Sequence, residues 1–484
     1  MVRKRKEDFG NYVAGILQNS MLTGIPQIAG AGNAPKRIIR ALVFVACLIG
    51  FIYQSLVFMN LYWEYKTVID VQVLTSKEAD LPSVTVCNYN GLYRSKICND
   101  SRFESRCSKL TNDAEYGADW CECLGGRWCK NGVLDDVKVV DWQLYREINM
   151  MEYSEYEMLL QDFEEFFDYC TIYQGSEDKI FTKCDMKNYE HVRCPGEDST
   201  MGTCWTLNTI IGQPEAEPRK VLSNARLTIV VFPHAEEYST EIKSVTAQVA
   251  IHNPRQIVNP YTNGFHMKVN TRQDFRLKKV VKKLLPAPYE TNCVDYVERW
   301  KSRGGRGPTN QKECDGECQK NVSLEVYGGC LSQYFYVPGN ERRCGVDVIP
   351  KGDVIAKIAE CQKKHCNPAC YDEHYEIVRD VRDRRSQADC GFDEFKSFAQ
   401  DIGMFIYLNG METTTYTYSP KYQNIETFSY LGGYVGMWLG ISLVAVFDFL
   451  ETVIIMMRYP FRKLMESRAK KERLQHIKKL QRDL

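Results

Sequence analysis

The most informative stretch of the chain is Gly432–Glu451, GGYVGMWLGISLVAVFDFLE. It belongs to a longer apolar segment, 430–457, with glycines at 432, 433, 436 and 440. As one continuous helix, this segment would measure about 42 Å at about 1.5 Å per residue. Because the hydrocarbon core of a bilayer is only about 30 Å thick, the segment is long enough to cross a membrane with length to spare.

The glycines at 436 and 440 have two interpretations. Their spacing suits a face on which two membrane helices pack closely. Alternatively, the helix breaks near Gly440, so that Gly440, Ile441 and Ser442 present carbonyls and a hydroxyl to a water-filled pore. Irregular backbone at membrane depth is tolerated only where it lines such a cavity or is buried in protein. The glycines alone do not decide between these two structures.

Two carboxylates in the same stretch favour the pore. Asp448 and Glu451 are three residues apart, and hence lie on nearly the same helix face. A carboxylate at the bilayer centre costs about 2.5–3.5 kcal/mol even on the insertion scale, whereas rings of acidic side chains attract cations in channels. The alternative, a position among the inner headgroups, suits Glu451 better than Asp448, because Glu451 is closer to Arg458.

A second apolar run, 41–61 (ALVFVACLIGFIYQSLVFMNL), predicts another membrane helix. It begins forty residues into the chain and has no small-residue cleavage site after it, so we interpret it as an anchor. Seven Lys or Arg precede this run, and ten Lys or Arg against three acidic residues follow residue 457. The positive-inside rule therefore predicts cytosolic ends, 1–40 and 458–484, and an extracellular region, 62–429.

The cysteines indicate an oxidising environment for that region. Of 20 cysteines only Cys47 lies in an apolar run, and the other 19 lie between Cys87 and Cys390. The seven histidines form no paired Cys/His blocks, so we expect no metal site, and we interpret the metal-like Cys121-Glu-Cys123 with Cys129 as disulfide chemistry. The sequons at Asn99 and Asn321 predict glycosylation on the same side of the membrane.

Strand patterns place the extracellular region in the α+β class, with sheet dominant. We predict strands in 80–88, 226–232, 244–252 and 265–270, a short amphipathic helix in 161–169, and a strand, a turn and a strand in 403–418. The fold predicted is a membrane protein with two transmembrane helices and a large, disulfide-rich, sheet-dominated ectodomain.

The stretch from Gly432 to Ser442 resembles the second-helix signature of the degenerin/epithelial sodium channel/acid-sensing ion channel family: a Gly pair, a further Gly, then Gly-x-Ser. The resemblance implies that Gly440, Ile441 and Ser442 form a selectivity element and that Asp448 and Glu451 line the pore. It also implies gating roles for Ser429, Gly432 and Gly433. Ser429 matches the position where bulky substitutions hold such channels open, although a serine there also suits a helix cap.

The resemblance extends into the ectodomain, which in this family is divided into palm, finger and thumb. It implies a thumb at about 286–372 and a contact between Tyr289, in PAPYETNC (286–293), and Tyr65. It implies a palm disulfide between Cys87 and Cys204. The implied thumb disulfides are Cys293–Cys370, Cys314–Cys366, Cys318–Cys361 and Cys330–Cys344, the last because Ser332 stands where the family has a further cysteine.

The chain departs from the family at two more places. Thr23-Gly24 replaces the His-Gly that sets open probability before the first helix. Lys66 stands where acid-sensing relatives carry a proton-sensing histidine, so the resemblance does not imply proton gating through this position. The resemblance leaves nine cysteines without an assigned partner: Cys98, Cys107, Cys121, Cys123, Cys129, Cys170, Cys184, Cys194 and Cys390.

The sequence thus predicts a subunit of a homo- or heterotrimeric, amiloride-sensitive sodium channel in the plasma membrane, with Na⁺ as the permeant ion and no cofactor. Membrane lipid and an extracellular peptide or other ligand are candidate partners, nucleic acid is not, and no catalytic constellation suggests an enzyme. Alternatives are a two-pass ligand-binding or scavenger receptor without a pore and an ATP-gated trimeric channel. The sequence leaves the stimulus open among peptide, proton, force and constitutive opening.

Overall fold

A computed structural model describes most of the chain. The described residues are 26, 28, 32–110, 128–130, 133–175, 180–184, 189–196, 201–238, 245–383, 401–408, 411–442, 444–448, 450–451, 453–454, 457–458, 465, 468 and 471. The predicted gating pair Thr23-Gly24 lies outside them, as do Cys121, Cys123 and Cys390. The chain forms two compact units, a helical unit (Met1–Val68 with Pro420–Leu484) and a sheet unit (Ile69–Ser419).

The helices with defined bounds are α1 (Ala34–Trp63), α2 (Arg94–Cys98), α3 (Trp142–Asn149), α4 (Tyr153–Glu157), α5 (Phe163–Phe166), α6 (Pro260–Asn263), α7 (Tyr296–Ser302), α8 (Gln311–Val326), α9 (Gly352–His365) and α10 (Asn424–Leu439). Two short 3₁₀ turns span Glu104–Arg106 and Ala235–Glu237. Within the described residues, α1 is the one helix that by length and composition could cross a membrane.

The strands are β1 (Thr67–Thr75), β2 (Glu78–Asp80), β3 (Ser83–Asn88), β4 (Cys107–Lys109), β5 (Cys129–Lys130), β6 (Val133–Leu134), β7 (Lys138–Val140), β8 (Phe167–Gln174), β9 (Ile180–Lys183), β10 (Tyr189–Pro195), β11 (Met201–Leu207), β12 (Lys220–Leu222), β13 (Arg226–Val231), β14 (Thr246–His252), β15 (Phe265–Lys268), β16 (Thr271–Lys283), β17 (Tyr371–Asp383), β18 (Ile402–Tyr407) and β19 (Glu412–Pro420).

Two sheets organise the sheet unit. The larger has the order β1-β19-β16-β18-β13-β8-β9, with β17 paired to β16, and the smaller has the order β10-β11-β3-β14-β15. One apolar core joins them, with Val86 and Val249 from the smaller sheet and Ile229, Phe275 and Met404 from the larger, each fully buried. The two sheets therefore share one hydrophobic core, as a stable layered domain requires.

The predicted strands are present, with one difference in their pairing. The predicted run 403–418 does contain two strands, β18 and β19, but they do not pair with each other. Both run parallel to β16, β18 along Thr271–Arg276 and β19 along Lys279–Lys283. The 13-residue β16 is long enough to hold both strands end to end, so β18 and β19 lie one after the other along β16 instead of forming a hairpin.

Helices and disulfides build the region that the resemblance identifies as the thumb. Asn310 caps α8, its Oδ1 accepting a hydrogen bond from Glu313 N at 2.9 Å. Cys314 and Cys318, one turn apart on α8, are joined to Cys366 and Cys361. The bonds Cys293–Cys370 and Cys330–Cys344 complete the set that the resemblance implied.

Several of the remaining cysteines now have an assigned state. Cys98 bonds to Cys107, and Cys170 bonds to Cys184. The implied palm bond Cys87–Cys204 joins residues directly opposite each other on β3 and β11. Among the described cysteines, Cys47 and the buried Cys194 are free thiols. Cys194 lies beside the Cys87–Cys204 bond, but both of those sulfurs are already oxidised, so this cluster is not a metal site.

Candidate functional site

The candidate pore segment begins with α10, which starts before the predicted span. The sequence predicted the span from residue 430, but the helix begins at Asn424 with a capping box between Gln423 and Glu426. Gln423 N donates to Glu426 Oε2 at 3.0 Å. The first turn is polar and therefore carries no hydropathy signal, although the box itself is a recognisable start signal.

This start contradicts one of the two interpretations of Ser429. A capping serine would precede the helix, whereas Ser429 lies inside α10, where its hydroxyl donates to Ile425 O at 2.9 Å. A hydroxyl that bonds to a carbonyl of the preceding turn plays no part in starting the helix. Ser429 is therefore not the cap of this helix.

The helix ends at Leu439, and the next three residues separate it from a second helical stretch. Gly440 is the C-terminal cap, with φ 62° and ψ 23°, and its N–H donates to Gly436 O at 3.0 Å. This left-handed conformation is one that glycine adopts without steric penalty. Helical structure resumes in residues 444–448. The predicted break at Gly440 is thus confirmed.

Ser442 has a structural part in restarting the helix. Its Oγ accepts a hydrogen bond from Ala445 N at 3.2 Å, and its backbone oxygen accepts one from Val446 N at 3.1 Å. This is the geometry of an N-cap serine, whose side chain satisfies a backbone donor of the first turn. Gly440 therefore ends the first helix, Ile441 is the connecting residue, and Ser442 caps the start of the second helical stretch.

Asp448 and Glu451 follow this restart. Both are in helical backbone, with Asp448 partly exposed and Glu451 exposed in the isolated chain. Their separation of three residues keeps them on about the same face of the second stretch. Asp448 follows Ser442 by about one and a half turns and Glu451 by about two and a half, and the structure does not by itself assign a role to any of them.

The side of α10 that contacts α1 carries aromatic residues. The buried ring of Phe58 lies 4.9 Å from the ring of Tyr430 and 6.2 Å from that of Tyr434, between ring centroids. Further along, Trp438 Nε1 donates to Gln54 Oε1 at 2.7 Å. At the other end, Tyr62 OH donates to Asn424 Oδ1 at 2.8 Å.

The α1 half of this contact was not predicted. Gly50, Gln54, Phe58 and Tyr62 recur every four residues and so form one stripe of α1. A Cβ at Gly50 would lie 2.8 Å from the Trp438 ring, so a larger residue there would displace the indole. The signal in the sequence was Gln54, a polar side chain in an apolar run, which needs a partner at membrane depth.

The glycines of α10 are not used in this contact. A Cβ built on Gly432, Gly433 or Gly436 would meet no atom within 4 Å. Close packing of these glycines against α1 is therefore absent within the described part of the chain, whereas packing against another helix, the alternative interpretation of Gly436 and Gly440, stays a prediction. This surface of α10 is open in the single subunit.

The two tyrosines of the predicted thumb-to-helix contact lie in different units. Tyr65 follows α1 and adopts a left-handed conformation, φ 49°. Tyr289 is in a turn in which its N–H donates to Pro286 O at 3.2 Å. Their coupling stays a prediction. Near Tyr65, Lys66 pairs with Glu64 at 2.5 Å, and Lys66 O accepts from Lys421 N at 2.9 Å, which joins the chain after the C-terminus of α1 to the chain before the N-terminus of α10.

The known proteins to which this chain is similar belong to one group, the degenerin and pickpocket proteins. The chain is 22% identical over 333 residues to degenerin deg-1 of Caenorhabditis elegans (64% of this chain, 41% of that protein) and 23% identical over 504 residues to pickpocket protein 28 of Drosophila melanogaster (89% and 76%). It is 20% identical over 508 residues to degenerin-like protein asic-2 of Caenorhabditis elegans (93% and 86%). The chain thus spans less than half the length of deg-1.

The family-wide sequence profile described as amiloride-sensitive sodium channel matches residues 16–452, which include α1, the sheet unit, the break at Gly440 and both carboxylates. The chain belongs to the amiloride-sensitive sodium channel family, a family of membrane channels.

Proposed function

We propose that this chain is one subunit of a trimeric, sodium-selective, amiloride-sensitive channel of the plasma membrane, with Na⁺ as the permeant ion. The observation that carries the proposal is the interruption of the second span at Gly440–Ser442, directly followed by Asp448 and Glu451. A broken helix and two carboxylates are both unfavourable in lipid and both useful in a cation pathway.

The break suits cation coordination. The last carbonyls of a helix have no partner within it, and they lie at the negative end of the helix dipole. The C-terminus of α10 at Leu439 therefore presents partial negative charge at the level of the break. Ser442 adds a hydroxyl oxygen that retains a lone pair beyond the one accepting from Ala445 N. Together these oxygens would replace part of the hydration shell of a small cation.

The helical wheel of α10 supports an assembly. At about 100° per residue, Gly433, Gly436 and Gly440 fall within about 40° of Ser429. The aromatic residues that contact α1 are Tyr430, Tyr434 and Trp438, and they fall on the opposite half of the helix. One face thus contacts the subunit's own α1, and the other is a strip of small residues open to further copies and to the pore. The number three rests on the family resemblance.

We place both ends of the chain in the cytosol. In this topology α1 and the segment 430–457 cross the membrane, and the sheet unit is extracellular. The disulfides support this, since such bonds persist in oxidising surroundings. The two sequon residues, Asn99 and Asn321, are both exposed, as glycosylation requires. The proposal assigns the chain transport of ions and no catalytic chemistry.

The test is electrical recording from oocytes that express the chain alone, and then together with another subunit of the family. We expect an inward sodium current that amiloride blocks, standing or evoked by acid or candidate peptides. Surface labelling of the chain is the control. A chain that reaches the surface yet yields no current in any of these conditions would favour a two-pass receptor without a pore.

A further inference from the structure

The shared core of the sheet unit contains a cavity of about 260 Å³. Its walls come from both sheets. Val84 and Leu207 lie opposite each other on β3 and β11, and Ile172 and Leu227 lie opposite each other on β8 and β13. All four side chains are buried, with at most 5% of their surface exposed. The proposed channel function assigns no role to this cavity.

The side chains around the cavity are too small to fill it. Aromatic residues such as Phe166, Trp205 and Phe275 fill other parts of the same core. No aromatic residue of the described chain lines the cavity, whose walls are aliphatic apart from the Cys170–Cys184 bond and four polar residues of loop 208–219. Because protein interiors rarely contain voids larger than a water molecule, a space of this size is exceptional.

Loop 208–219 covers the cavity and is fixed at both ends. Near its start, Ile210 N donates to Pro254 O at 3.0 Å, and at its end Arg219 O accepts from Leu81 N at 2.8 Å. Backbone hydrogen bonds thus hold the cover in place over the two sheets. The cavity is therefore formed before any ligand enters, which lowers the ordering cost of binding.

The aliphatic walls select an apolar occupant for the inner part of the cavity. They offer water no hydrogen-bond partner, whereas an apolar cavity of about 150 Å³ stays dry and takes up benzene. In proportion, the cavity described above would hold about ten carbon atoms. A hydrocarbon chain or ring against these walls would gain the hydrophobic and dispersion free energy that empty space forfeits.

The charged residues of the lining stand at the solvent side of the cavity. They are Glu217 and Arg219, and both are exposed. Glu217 pairs with Arg255 at 3.5 Å, whereas the guanidinium of Arg219 has no ion-pair partner among the described residues. Glu215, the other acidic residue of the loop, does not line the cavity. The entrance therefore favours a ligand with a negative charge at one end.

We propose that this cavity binds a small amphipathic anion. A hydrocarbon body of about ten carbon atoms would lie against the aliphatic walls, and a carboxylate would lie at the entrance beside Arg219. A medium-chain fatty acid has this size, shape and charge. The site lies wholly within the sheet unit and does not depend on the proposed pore.

The first test is photolabelling of the full-length chain in nanodiscs with a decanoate that carries a diazirine near the end of its chain. Mass spectrometry of the digested chain should find the label on β8, β11 and β13, and excess unlabelled decanoate should remove it. Decylamine, with the same chain and the opposite charge, should compete about tenfold less well, the effect of one charge-assisted hydrogen bond. Label confined to α1 and the segment 430–457, or equal competition by decylamine, would overturn the proposal.

The second test uses variants of the cover. Ala216→Trp should fill the cavity and remove the label from the three strands, whereas Ala216→Ser should keep it. Arg219→Gln should weaken labelling, whereas Lys220→Gln, an exposed neighbour outside the lining, should not. Peptide mapping of the Cys170–Cys184 bond checks that each variant is folded. A folded Ala216→Trp chain that is labelled like wild type would overturn the proposal, and the wild-type competition decides it should this variant fail to fold.

Discussion

The indole nitrogen of Trp438 donates a 2.7 Å hydrogen bond to Gln54 Oε1, two residues before the helix stops at Gly440. Around this bond the contact between α1 and α10 is mainly aromatic, with Phe58 against Tyr430 and Tyr434, and a second hydrogen bond joins Tyr62 OH to Asn424 Oδ1. A polar bond between two apolar helices specifies one register, because any slip leaves both groups unpaired in an apolar contact. The bond therefore fixes the depth of the break relative to α1.

The first prediction concerns this bond. Trp438→Phe and Gln54→Leu should each lower the melting temperature of the detergent-solubilised chain, and the double variant should be destabilised by less than the sum. Interhelical hydrogen bonds in membranes couple by about 0.6 kcal/mol on average and up to about 1.7. A double-mutant cycle measures the coupling directly. Strictly additive effects would mean that the bond does not set the helix register.

The second prediction concerns the stop and start residues. Gly440→Ala should strain a left-handed residue by about 1–2 kcal/mol, and Ser442→Ala should remove a cap worth about 0.5–2 kcal/mol. Both changes should loosen the break and raise potassium permeability relative to sodium, measured from reversal potentials. Gly432→Ala, at an open position with ordinary backbone in the same helix, is the matched control and should leave selectivity unchanged.

The third prediction separates the two carboxylates. Asp448→Asn should reduce single-channel conductance or alter divalent block more than Glu451→Gln, because Asp448 is closer to the break and thus to the narrow part of the path. A fixed charge acts more strongly in a narrow, low-dielectric pore than in bulk water. Equal and negligible effects of the two variants would place both side chains among the headgroups instead.

The fourth prediction concerns the gate. Ser429 lies on the open face of α10, inside the helix, so its replacement does not remove a cap. If three such faces meet in the closed state, Ser429→Phe should overpack that state by about 1–3 kcal/mol and favour opening, about tenfold per 1.4 kcal/mol. The measurement is standing, amiloride-sensitive sodium current without a stimulus. Ser429→Ala, which adds no bulk, should show none, and silent but surface-expressed Ser429→Phe would argue against the gate.

The fifth prediction concerns the thumb bonds. Replacing both Cys314 and Cys366 by alanine should lower the stability of the ectodomain, since loss of a native disulfide from a small secreted domain typically costs about 2–5 kcal/mol. Thermal unfolding of the variant against wild type provides the measurement. Peptide mapping under non-reducing conditions should recover Cys314 linked to Cys366 and Cys318 linked to Cys361 in the wild-type chain. Peptides linked in any other way would contradict the described thumb.

Local signals predicted much of the fold, and non-local pairing accounts for the differences. The buried strand Ser83–Asn88 and the break at Gly440 follow from β-branched runs and from glycine's access to positive φ. The parallel pairing of β18 and β19 along β16 could not be predicted, because the register between distant strands leaves no local pattern in the sequence. The start of α10 at Asn424 lies before the predicted span because its first turn is polar and adds nothing to the hydropathy pattern.

The sequence likewise singled out only some residues of the candidate site. Residues Gly440, Ser442, Asp448 and Glu451 stand out in an apolar segment because each is unfavourable there. The α1 stripe through Gln54, which contacts Tyr430, Tyr434 and Trp438, does not stand out, since it is recognisable only once the facing helix is known. The cavity beneath loop 208–219 was not predicted either, as no local pattern marks a space that distant strands leave unfilled.

The measurement that tests the central claim most directly is the reversal potential of current carried by this chain when external sodium is exchanged for potassium. It should be compared between wild type and Ser442→Ala, which removes the hydroxyl without adding bulk. We expect a strongly sodium-selective wild-type current and a clear shift toward potassium permeability in the variant. Surface-expressed chains with identical reversal potentials for wild type and Ser442→Ala would contradict a selectivity element at Gly440–Ser442.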